Sequence, residues 1–347
     1  MNSFRSLIII AVFALLTVCL ADFGSQRISP IVNLREAADG FADLAASDPE
    51  TLVLGSSHGR TFHVLGQQLK KKTNPGIPLV AVPLENGKWV PYAWVLENRI
   101  APLIDERRED GSLVRSKLKR FILLTEWWDS CDHSDRVYWN IPSRAWSLYH
   151  YFYDLLDTGI TTYNRNYLQY HLRRIMSISA LIRDRYDPQI KGAVRRFVIG
   201  QSTRMTEAEY QAVILKWQRM VARGVACIGA PEQKAAFERI LDFSISRGLE
   251  TIVVLFPRMP STLTDFGKQT TLISFRKMVE ELAVPRNVKV IDLTWKTPLK
   301  DTDFMDDFDH VTASGNLKFA AWALENDLSF LLDTPPSLTS VSMKAQD

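Results

Sequence analysis

The sequence predicts an α/β fold in which a mainly parallel sheet lies between layers of helices. Short apolar runs, several of them rich in β-branched residues, are typical of buried strands and occur at 51–54, 77–82, 118–125, 251–256 and 288–293. Segments with the apolar spacing of helices separate these runs. Alternation of strands with helices indicates a parallel sheet, because each connecting helix covers a face of the sheet.

The helical segments have apolar residues three or four positions apart and clear boundaries. Helices are predicted at 34–46, 61–70, 89–103, 206–223, 231–247, 275–282 and 312–324. Asp48 and Pro49 end the first of them just before the first strand, and Gly248 ends the helix before the fourth strand. These boundaries support the alternating order of the elements.

Composition excludes some classes of function. The chain has 347 residues, of which 46% are hydrophobic and 23% are charged, as in ordinary globular proteins. Its formal charge of +3 is too small to suggest a nucleic-acid partner. The basic run Lys70–Lys72 is more typical of a solvated surface loop. No nucleic-acid binding is therefore expected.

The N-terminal residues have the pattern of an export signal. Arg5 precedes an apolar run, Leu7–Leu20, that has a single polar interruption. The run is shorter than the ~20 residues of a spanning helix, which favours a secretory signal peptide over residues 1–21. An uncleaved membrane anchor is the alternative; a lipoprotein signal is less favoured, because Val18 is bulky where a small residue is required. All three interpretations export the remainder of the chain.

The exported part is predicted to be one domain, 22–332, with a helical insertion at about 131–192 that is rich in aromatic residues and arginine. The polar tail 333–347 is predicted to be disordered. Outside the signal only Cys131 and Cys227 remain, so one disulfide is possible, although spacing alone does not establish it.

A small polar turn follows the first strand. Gly55 ends the strand, and Ser56, Ser57 and His58 precede the helix predicted at 61–70. In open α/β folds this position lies at the carboxyl edge of the sheet, where sites are built. The helix N-terminus also favours negative charge nearby. The alternative is a serine that only caps the helix.

A second polar loop follows the last strand and contains Asp307 and His310. Asp307 precedes His310 by three residues, a spacing that lets its carboxylate reach the imidazole and leaves Nε2 free to accept a proton from a hydroxyl. A calcium loop is the second interpretation, with oxygen ligands from Asp301, Asp303, Asp306, Asp307 and Asp309. The loop lacks the glycine and final glutamate of an EF-hand, and the other histidines lack zinc-ligand spacing, so no metal is expected.

These two motifs, Gly55-Ser56-Ser57-His58 and Asp307-Phe308-Asp309-His310, resemble those of the SGNH/GDSL hydrolase superfamily. The resemblance implies a three-layer α/β/α sandwich with a flavodoxin-like sheet and no cofactor. It also implies that Ser57 is the nucleophile, with His310 as base and Asp307 as its orienting carboxylate. The Gly-Ser-Ser variant and the export segment are similar to the cell-envelope branch, which includes alginate-type O-acetyltransferases and the teichoic acid D-alanylation protein.

The same family implies an oxyanion hole, which this chain matches only in part. Besides the Ser57 N–H, Gly87 after the second strand is the best match for the second donor. The usual Gly-x-Asn motif has no counterpart, since the third strand ends in Thr125 and Glu126. Glu126 is a poor donor if ionised, because a carboxylate repels the oxyanion. Trp127 and Trp128 next to it are candidates for lining a sugar subsite.

The sequence therefore suggests an exported serine esterase or O-acyltransferase. Its substrate would be an acyl ester, most simply an acetyl ester, of a cell-envelope or extracellular polysaccharide. Transfer would require a dry acceptor groove or a membrane-bound acyltransferase partner. A non-catalytic envelope binding or assembly module on the same fold is the alternative, and a lipid esterase is a third interpretation.

We expect the exported protein either to lack residues 1–21 or to be anchored by them. The physical reason is the positive charge of Arg5 followed by the apolar run Leu7–Leu20. Cell fractionation combined with N-terminal sequencing measures this. Intact protein recovered in soluble form from the cytoplasm would contradict both the export signal and the envelope assignment.

Overall fold

The computed structural model describes residues 6–10, 12–14, 16–17, 20, 32–72, 79–84, 87–131, 228–263, 266–305 and 309–333. The chain divides into two compact units, one formed by 1–42 and 133–203 and the other by 43–132 and 204–347. The second unit contains the sheet. Nearly all of the predicted insertion and tail, the helix predicted at 206–223, and Asp307 lie outside the described residues.

The sheet has five strands, all parallel, in the order β2-β1-β3-β4-β5. The strands are β1 Thr51–Gly55, β2 Leu79–Pro83, β3 Arg120–Thr125, β4 Glu250–Leu255 and β5 Lys289–Asp292. Every residue of β1, β2 and β3 is buried, as expected when helices cover both faces of a parallel sheet. The predicted α/β class is confirmed, and the strand order is the flavodoxin-like one.

Helices alternate with these strands along the described chain. They are α1 Val32–Ala46, α2 Gly59–Lys72, α3 Trp89–Val95, α4 Ala101–Ile104, α5 Pro231–Ile245, α6 Pro260–Leu263, α7 Phe266–Ala283 and α8 Ala313–Glu325. A π-helical turn, Leu96–Ile100, joins α3 to α4, so the helix predicted at 89–103 is one continuous helical stretch. Single 3₁₀ turns occur at Trp127–Ser130, Val284–Arg286, Asp301–Asp303 and Ser329–Leu332.

The start of α7 differs from the prediction, which placed the helix at 275–282. The observed helix begins at Phe266. Its first half contains Gly267 and the β-branched pair Thr270 and Thr271. These residues have low intrinsic helix propensity, so the sequence pattern does not predict this half of the helix.

Two helical layers cover the sheet. On one face, Phe62 of α2 and Phe319 of α8 share a buried apolar cluster with alternate strand residues, and their rings lie 6.2 Å apart. The intervening strand residues point to the opposite face. On the α3 side, the indole of Trp89 packs against Phe237 of α5 at 4.4 Å and Phe275 of α7 at 6.0 Å. The arrangement is an α/β/α sandwich.

The connection between β1 and α2 is tight because β1 runs very close to its neighbours. A Cβ atom on Gly55 would lie 2.7 Å from both the Cβ and the carbonyl oxygen of Leu124 in β3. The Leu84 N–H after β2 also donates a 2.8 Å hydrogen bond to the Gly55 carbonyl. Gly55 thus lets the chain turn at the carboxyl edge between two strands.

The predicted insertion leaves the sheet domain after β3. The residues that follow it lie next to the end of β3, since the N–H groups of Gly229 and Ala230 both donate to the Ser130 carbonyl at 3.2 Å. Cys131 is disulfide-bonded, and the other two cysteines, at positions 19 and 227, lie outside the described residues. Hydrogen bonds therefore hold Gly229 and Ala230 next to Ser130, and the adjacent Cys131 is part of a disulfide.

The described residues between 6 and 20 are helical, and their large apolar side chains, such as Leu7 and Phe13, are exposed. Within the described parts of the chain, no helix combines the length and the hydropathy needed to cross a membrane.

Substituting Gly55→Ala should destabilise the protein by about 1–3 kcal/mol, because the added methyl group meets the β3 backbone. Urea denaturation followed by tryptophan fluorescence measures the change. The exposed Lys277→Ala on α7 is the control and should stay within about 0.5 kcal/mol of the parent. A Gly55→Ala protein as stable as this control would show that β1 can move away from β3.

Candidate active site

Ser57 and His310 meet at the carboxyl edge of the sheet. The Ser57 Oγ lies 2.6 Å from the His310 Nε2, although the two residues are 253 positions apart in the chain. Ser57 is held on the β1–α2 turn, and His310 lies in the loop after β5. The predicted convergence of these two side chains is confirmed, and their separation is that of a serine hydroxyl and the base that takes its proton.

The backbone around Ser57 opens directly into α2. Hydrogen bonds from Gly59 N–H to the Ser56 carbonyl, at 2.8 Å, and from Arg60 N–H to the Ser57 carbonyl, at 3.2 Å, close the turn. The Ser57 hydroxyl is directed to His310 rather than used as a helix cap. Among the described residues, none accepts a hydrogen bond from the Ser57 N–H. This N–H at a helix start can therefore serve an incoming oxyanion.

Ser56 is more deeply placed than Ser57, with exposures of 3% and 8% respectively. Its Oγ accepts a long, 3.4 Å hydrogen bond from the His58 N–H. Ser56 thus contributes to the shape of the turn, whereas Ser57 presents its hydroxyl to the imidazole.

A short antiparallel bridge fixes the His310 loop. Phe304 pairs with Val311, and the Met305 N–H donates to the His310 carbonyl at 2.7 Å. Immediately afterwards, Thr312 caps α8 by accepting a 3.1 Å hydrogen bond from the Gly315 N–H. The loop is therefore bounded on both sides by ordered backbone. Asp307, predicted to orient His310, lies outside the described residues.

Gly87 occupies a place that does not fit the predicted oxyanion contact. Its N–H donates to the Leu84 carbonyl at 3.0 Å and is already used in a turn. A Cβ at this position would lie 2.2 Å from the Tyr92 ring, which is itself fully buried. Close packing of Tyr92 therefore explains the glycine, and the second oxyanion donor is not supplied by Gly87 in this structure.

The two tryptophans after β3 do not offer the open faces of a sugar platform. Trp127 is only 3% exposed and meets Trp128 edge to face, with ring centroids 5.4 Å apart. The partly buried Trp128 lies under the Lys88 ammonium, which is 4.8 Å from its ring centroid. Lys88 also donates to the Cys131 carbonyl at 2.7 Å. These contacts describe internal packing beside the predicted insertion.

Four charged side chains form a buried group directly behind the Ser57–His310 pair. We call His58, Glu126, Arg258 and Asp309 the charge cluster. The Arg258 guanidinium forms ion pairs with both Glu126 and Asp309. The His58 Nε2 lies 3.4 Å from Glu126 Oε1 and 3.5 Å from Asp309 Oδ2. Side-chain exposures run from 1% for His58 to 20% for Asp309, so the charges neutralise one another largely out of water.

The ionisation of the cluster follows from this pairing. Burial alone would lower the pKa of His58, but the adjacent Asp309 and Glu126 outweigh it and raise that pKa to about 10. Burial opposes the charged forms of the two carboxyls, yet Arg258 and His58 hold the pKa of Glu126 and of Asp309 below the usual values. With Arg258 always protonated, two positive and two negative charges give a net charge of zero.

Asp129 behaves in the opposite way. Burial, together with the negative charge of Glu126, raises the pKa of Asp129 well above its ordinary value. Its Oδ2 accepts hydrogen bonds from the Glu126 N–H at 3.0 Å and from the Thr125 hydroxyl at 2.8 Å. Asp129 therefore holds the start of the loop that carries Glu126, and its raised pKa disfavours a further negative charge beside the cluster.

Metal binding is a poor fit for this cluster. One ligand atom from each of His58, Glu126 and Asp309 lies within 4.8 Å of the others. However, the guanidinium of Arg258 already binds both carboxylates, and a divalent cation would have to be accommodated beside that positive charge. Arg258 thus already supplies the positive charge that the carboxylates of Glu126 and Asp309 would otherwise take from a metal ion.

The described aspartates of the alternative calcium loop already bind other protein groups. Asp301 Oδ1 accepts from the Ser261 N–H at 3.0 Å, and Asp303 Oδ2 binds Lys318 Nζ at 2.6 Å. Asp309 belongs to the charge cluster, while positions 306 and 307 lie outside the described residues. These contacts disfavour calcium as the reason for the acidic composition.

Sequence reasoning missed Arg258 and gave Glu126 a different role. Both follow the carboxyl end of a strand, Glu126 after β3 and Arg258 after β4, as Ser57 and His58 follow β1. Polar side chains that follow neighbouring parallel strands share one edge of the sheet. This rule can be applied to the sequence, but the strand order that makes these residues neighbours is given only by the structure.

Comparison with protein-family models and with curated proteins gives no match for this chain. The resemblance to the SGNH/GDSL hydrolases therefore rests on the two motifs alone. Of their residues, Ser57 and His310 are in contact in the structure. The class of protein follows as a proposal from this site.

The stability of the protein should fall as the pH rises from near 6.5 toward 10. The pKa of His58 is about 10 in the folded protein and about 6.5 in an unfolded chain, so its ion pairs stabilise fully below the lower value and are lost through the higher one. The slope attributable to His58 is at most about 1.4 kcal/mol per pH unit. Urea denaturation near pH 6.5, 8 and 9.5 measures it.

The matched comparison is His58→Gln against His63→Gln, because His63 is an exposed histidine on α2, the helix that begins directly after His58. The His58→Gln protein should be less stable near pH 6.5, and its deficit relative to the parent should shrink at higher pH. The His63→Gln protein should follow the parent. A constant deficit for His58→Gln across the range would mean that folding does not raise the pKa of His58.

Proposed function

We propose that this protein is an exported serine esterase or O-acyltransferase of the SGNH type. Its substrate would be an acyl ester, most simply an acetyl ester, of a cell-envelope or extracellular polysaccharide. The observation that carries the proposal is the 2.6 Å contact between Ser57 Oγ and His310 Nε2 at the carboxyl edge of a parallel sheet.

In the proposed first half-reaction, His310 Nε2 takes the hydroxyl proton as Ser57 Oγ attacks the acyl carbonyl carbon. The carbonyl oxygen becomes an oxyanion, for which the Ser57 N–H at the start of α2 is the available donor. The intermediate then collapses, and the bond to the sugar oxygen breaks. The imidazolium of His310 returns its proton to that oxygen, leaving an acyl group on Ser57.

The second half-reaction reverses these roles with a new acceptor. His310 removes a proton from water or from a sugar hydroxyl, whose oxygen attacks the acyl carbon and restores the Ser57 hydroxyl. Water gives hydrolysis, and a sugar hydroxyl gives acyl transfer. Transfer fits a membrane-bound acyltransferase partner that would supply the acyl group. Asp307 is proposed to orient His310, on the basis of its spacing of three residues.

Export is part of the proposal and has two supports. The first is the segment in which Arg5 precedes the apolar run Leu7–Leu20. The second is the disulfide at Cys131, since disulfides persist mainly in oxidising compartments outside the cytosol. Both agree with a location at the periplasmic or extracellular face of a membrane.

A non-catalytic binding or assembly module is the second candidate. It is favoured by the incomplete oxyanion hole: the Gly87 N–H is used in a turn, and Glu126 lies in the charge cluster as a carboxylate where the family has an asparagine motif. Such a module would keep the fold and the Ser57–His310 contact without turning over an ester.

A fluorophosphonate probe and hydrolysis of 4-nitrophenyl acetate separate the two candidates. Ser57→Ala should abolish labelling and lower turnover by on the order of 10³-fold or more, and His310→Ala should do the same to turnover, because the nucleophile or its base is lost. Ser56→Ala should cost much less, mainly through the shape of the turn.

His63→Gln is the control and should retain the activity of the parent, since His63 is exposed on α2. If the parent protein neither reacts with the probe nor hydrolyses the ester, the binding module is the better description. If Ser56→Ala abolishes turnover while Ser57→Ala leaves it intact, Ser56 is the nucleophile.

A further inference from the structure

We propose that the charge cluster is a positioning device that locks the Ser57 turn to the His310 loop, with Arg258 as its central residue. This inference rests on the proposed function, because it assigns a role relative to the Ser57–His310 pair. It adds His58, Arg258, Glu126 and Asp309 as positioning residues.

The charge cluster is adjacent to the reactive pair along the chain. His58 directly follows Ser57, and Asp309 directly precedes His310. The His58 Nε2 lies 3.5 Å from Asp309 Oδ2. Each member of the reactive pair therefore has a chain neighbour in the cluster, and those two neighbours attract one another. Moving either loop would separate a buried cation from a buried anion.

Arg258 attaches the His310 loop to the sheet. Arg258 follows β4 and is almost completely buried. Its guanidinium binds Asp309 with one terminal nitrogen and Glu126, which follows β3, with the other. A planar fork of this kind fixes both distance and direction. Arg258 thus connects the loop of the base to two central strands.

The His58 ring stacks on two other rings. The His58 imidazole packs against Phe256 with centroids 4.1 Å apart and 25° between planes. Its other neighbour is the His310 imidazole, at 5.0 Å and 27°. The His58 ring therefore stacks on the His310 ring, and its Nε2 lies within 3.5 Å of the two carboxylates.

The energetic reason that this device is rigid is the dry environment of the charges. A charge that is largely removed from water is costly unless it is paired, so the state with all four groups in place is strongly preferred over partly assembled ones. Removing one member leaves another unpaired and lets the loop relax. A shift of the base by about 1 Å is enough to lower a rate by about 10²-fold.

The test compares Arg258→Met and Asp309→Asn with the parent, using kcat and KM for 4-nitrophenyl acetate and the rate of fluorophosphonate labelling. We expect kcat to fall by about 10- to 100-fold in each, with KM changed by less than about threefold. Arg258→Lys, which keeps the charge but loses the fork, should recover part of kcat. Arg247→Met is the matched control, because it removes an arginine that pairs with Asp105 in an exposed ion pair.

A double-mutant comparison distinguishes positioning from general damage. If Arg258 acts through the base, Arg258→Met should lower the rate much less in a His310→Ala background than in the parent. Equal losses in both backgrounds would overturn the proposal. Wild-type kcat in folded Arg258→Met and Asp309→Asn proteins would overturn it as well. If Arg258→Met does not fold, Arg258→Lys decides: a kcat loss of severalfold supports the proposal, and wild-type kcat rejects it.

The outcomes also separate this inference from the proposed function. If Ser57→Ala retains full labelling and turnover, the serine mechanism fails, and the cluster has no reactive pair to position. If Ser57→Ala is inactive while the cluster variants behave like Arg247→Met, only the positioning role fails. Zn²⁺ binding to the purified protein that is lost in His58→Gln and required for turnover would replace the positioning role with a metal site.

Discussion

The pairing of charges away from water is the constraint on which the carboxyl edge of this sheet depends. Arg258 and His58 are stable in their positions only with Glu126 and Asp309 beside them, and the reverse is equally true. The four groups come from the turn after β1, the ends of β3 and β4, and the loop before α8. Neutralising them requires that all four segments assemble together, and this assembly brings Ser57 to His310.

The same constraint accounts for the departure from the motifs of the family that the chain resembles. An ionised Glu126 cannot donate a hydrogen bond to an oxyanion, but it supplies a negative charge that Arg258 and His58 need. Burial and the adjacent Glu126 raise the pKa of Asp129, which disfavours a further anion beside the cluster. The Gly87 N–H is committed to a turn under Tyr92. The end of β3 therefore carries an ion pair where the resembled family has its Gly-x-Asn motif, and among the described residues no acceptor binds the Ser57 N–H.

Much of the fold was predictable from the sequence because it depends on local patterns. Buried strands of a parallel sheet are continuous apolar runs, and all five were found within a few residues of their observed bounds. The start of α7 was missed because Gly267 and its threonines have low helix propensity, while the helix is stabilised by tertiary contacts such as that of Phe275 with Trp89 of α3. The positions of Ser57 and His310 were predictable too, since each follows a strand, and parallel strands end at one edge.

By itself the sequence determined the class of fold, the edge on which the site lies and two residues that meet there. Tertiary structure alone decided which other side chains join them. The order β2-β1-β3-β4-β5 places the ends of β1, β3 and β4 side by side, so that Arg258 reaches both Glu126 and Asp309. Strand order depends on contacts between segments that are distant in the chain, so the periodicity of the sequence does not indicate it. For the same reason, only the tertiary structure shows the packing of Tyr92 against Gly87 and the burial of Trp127.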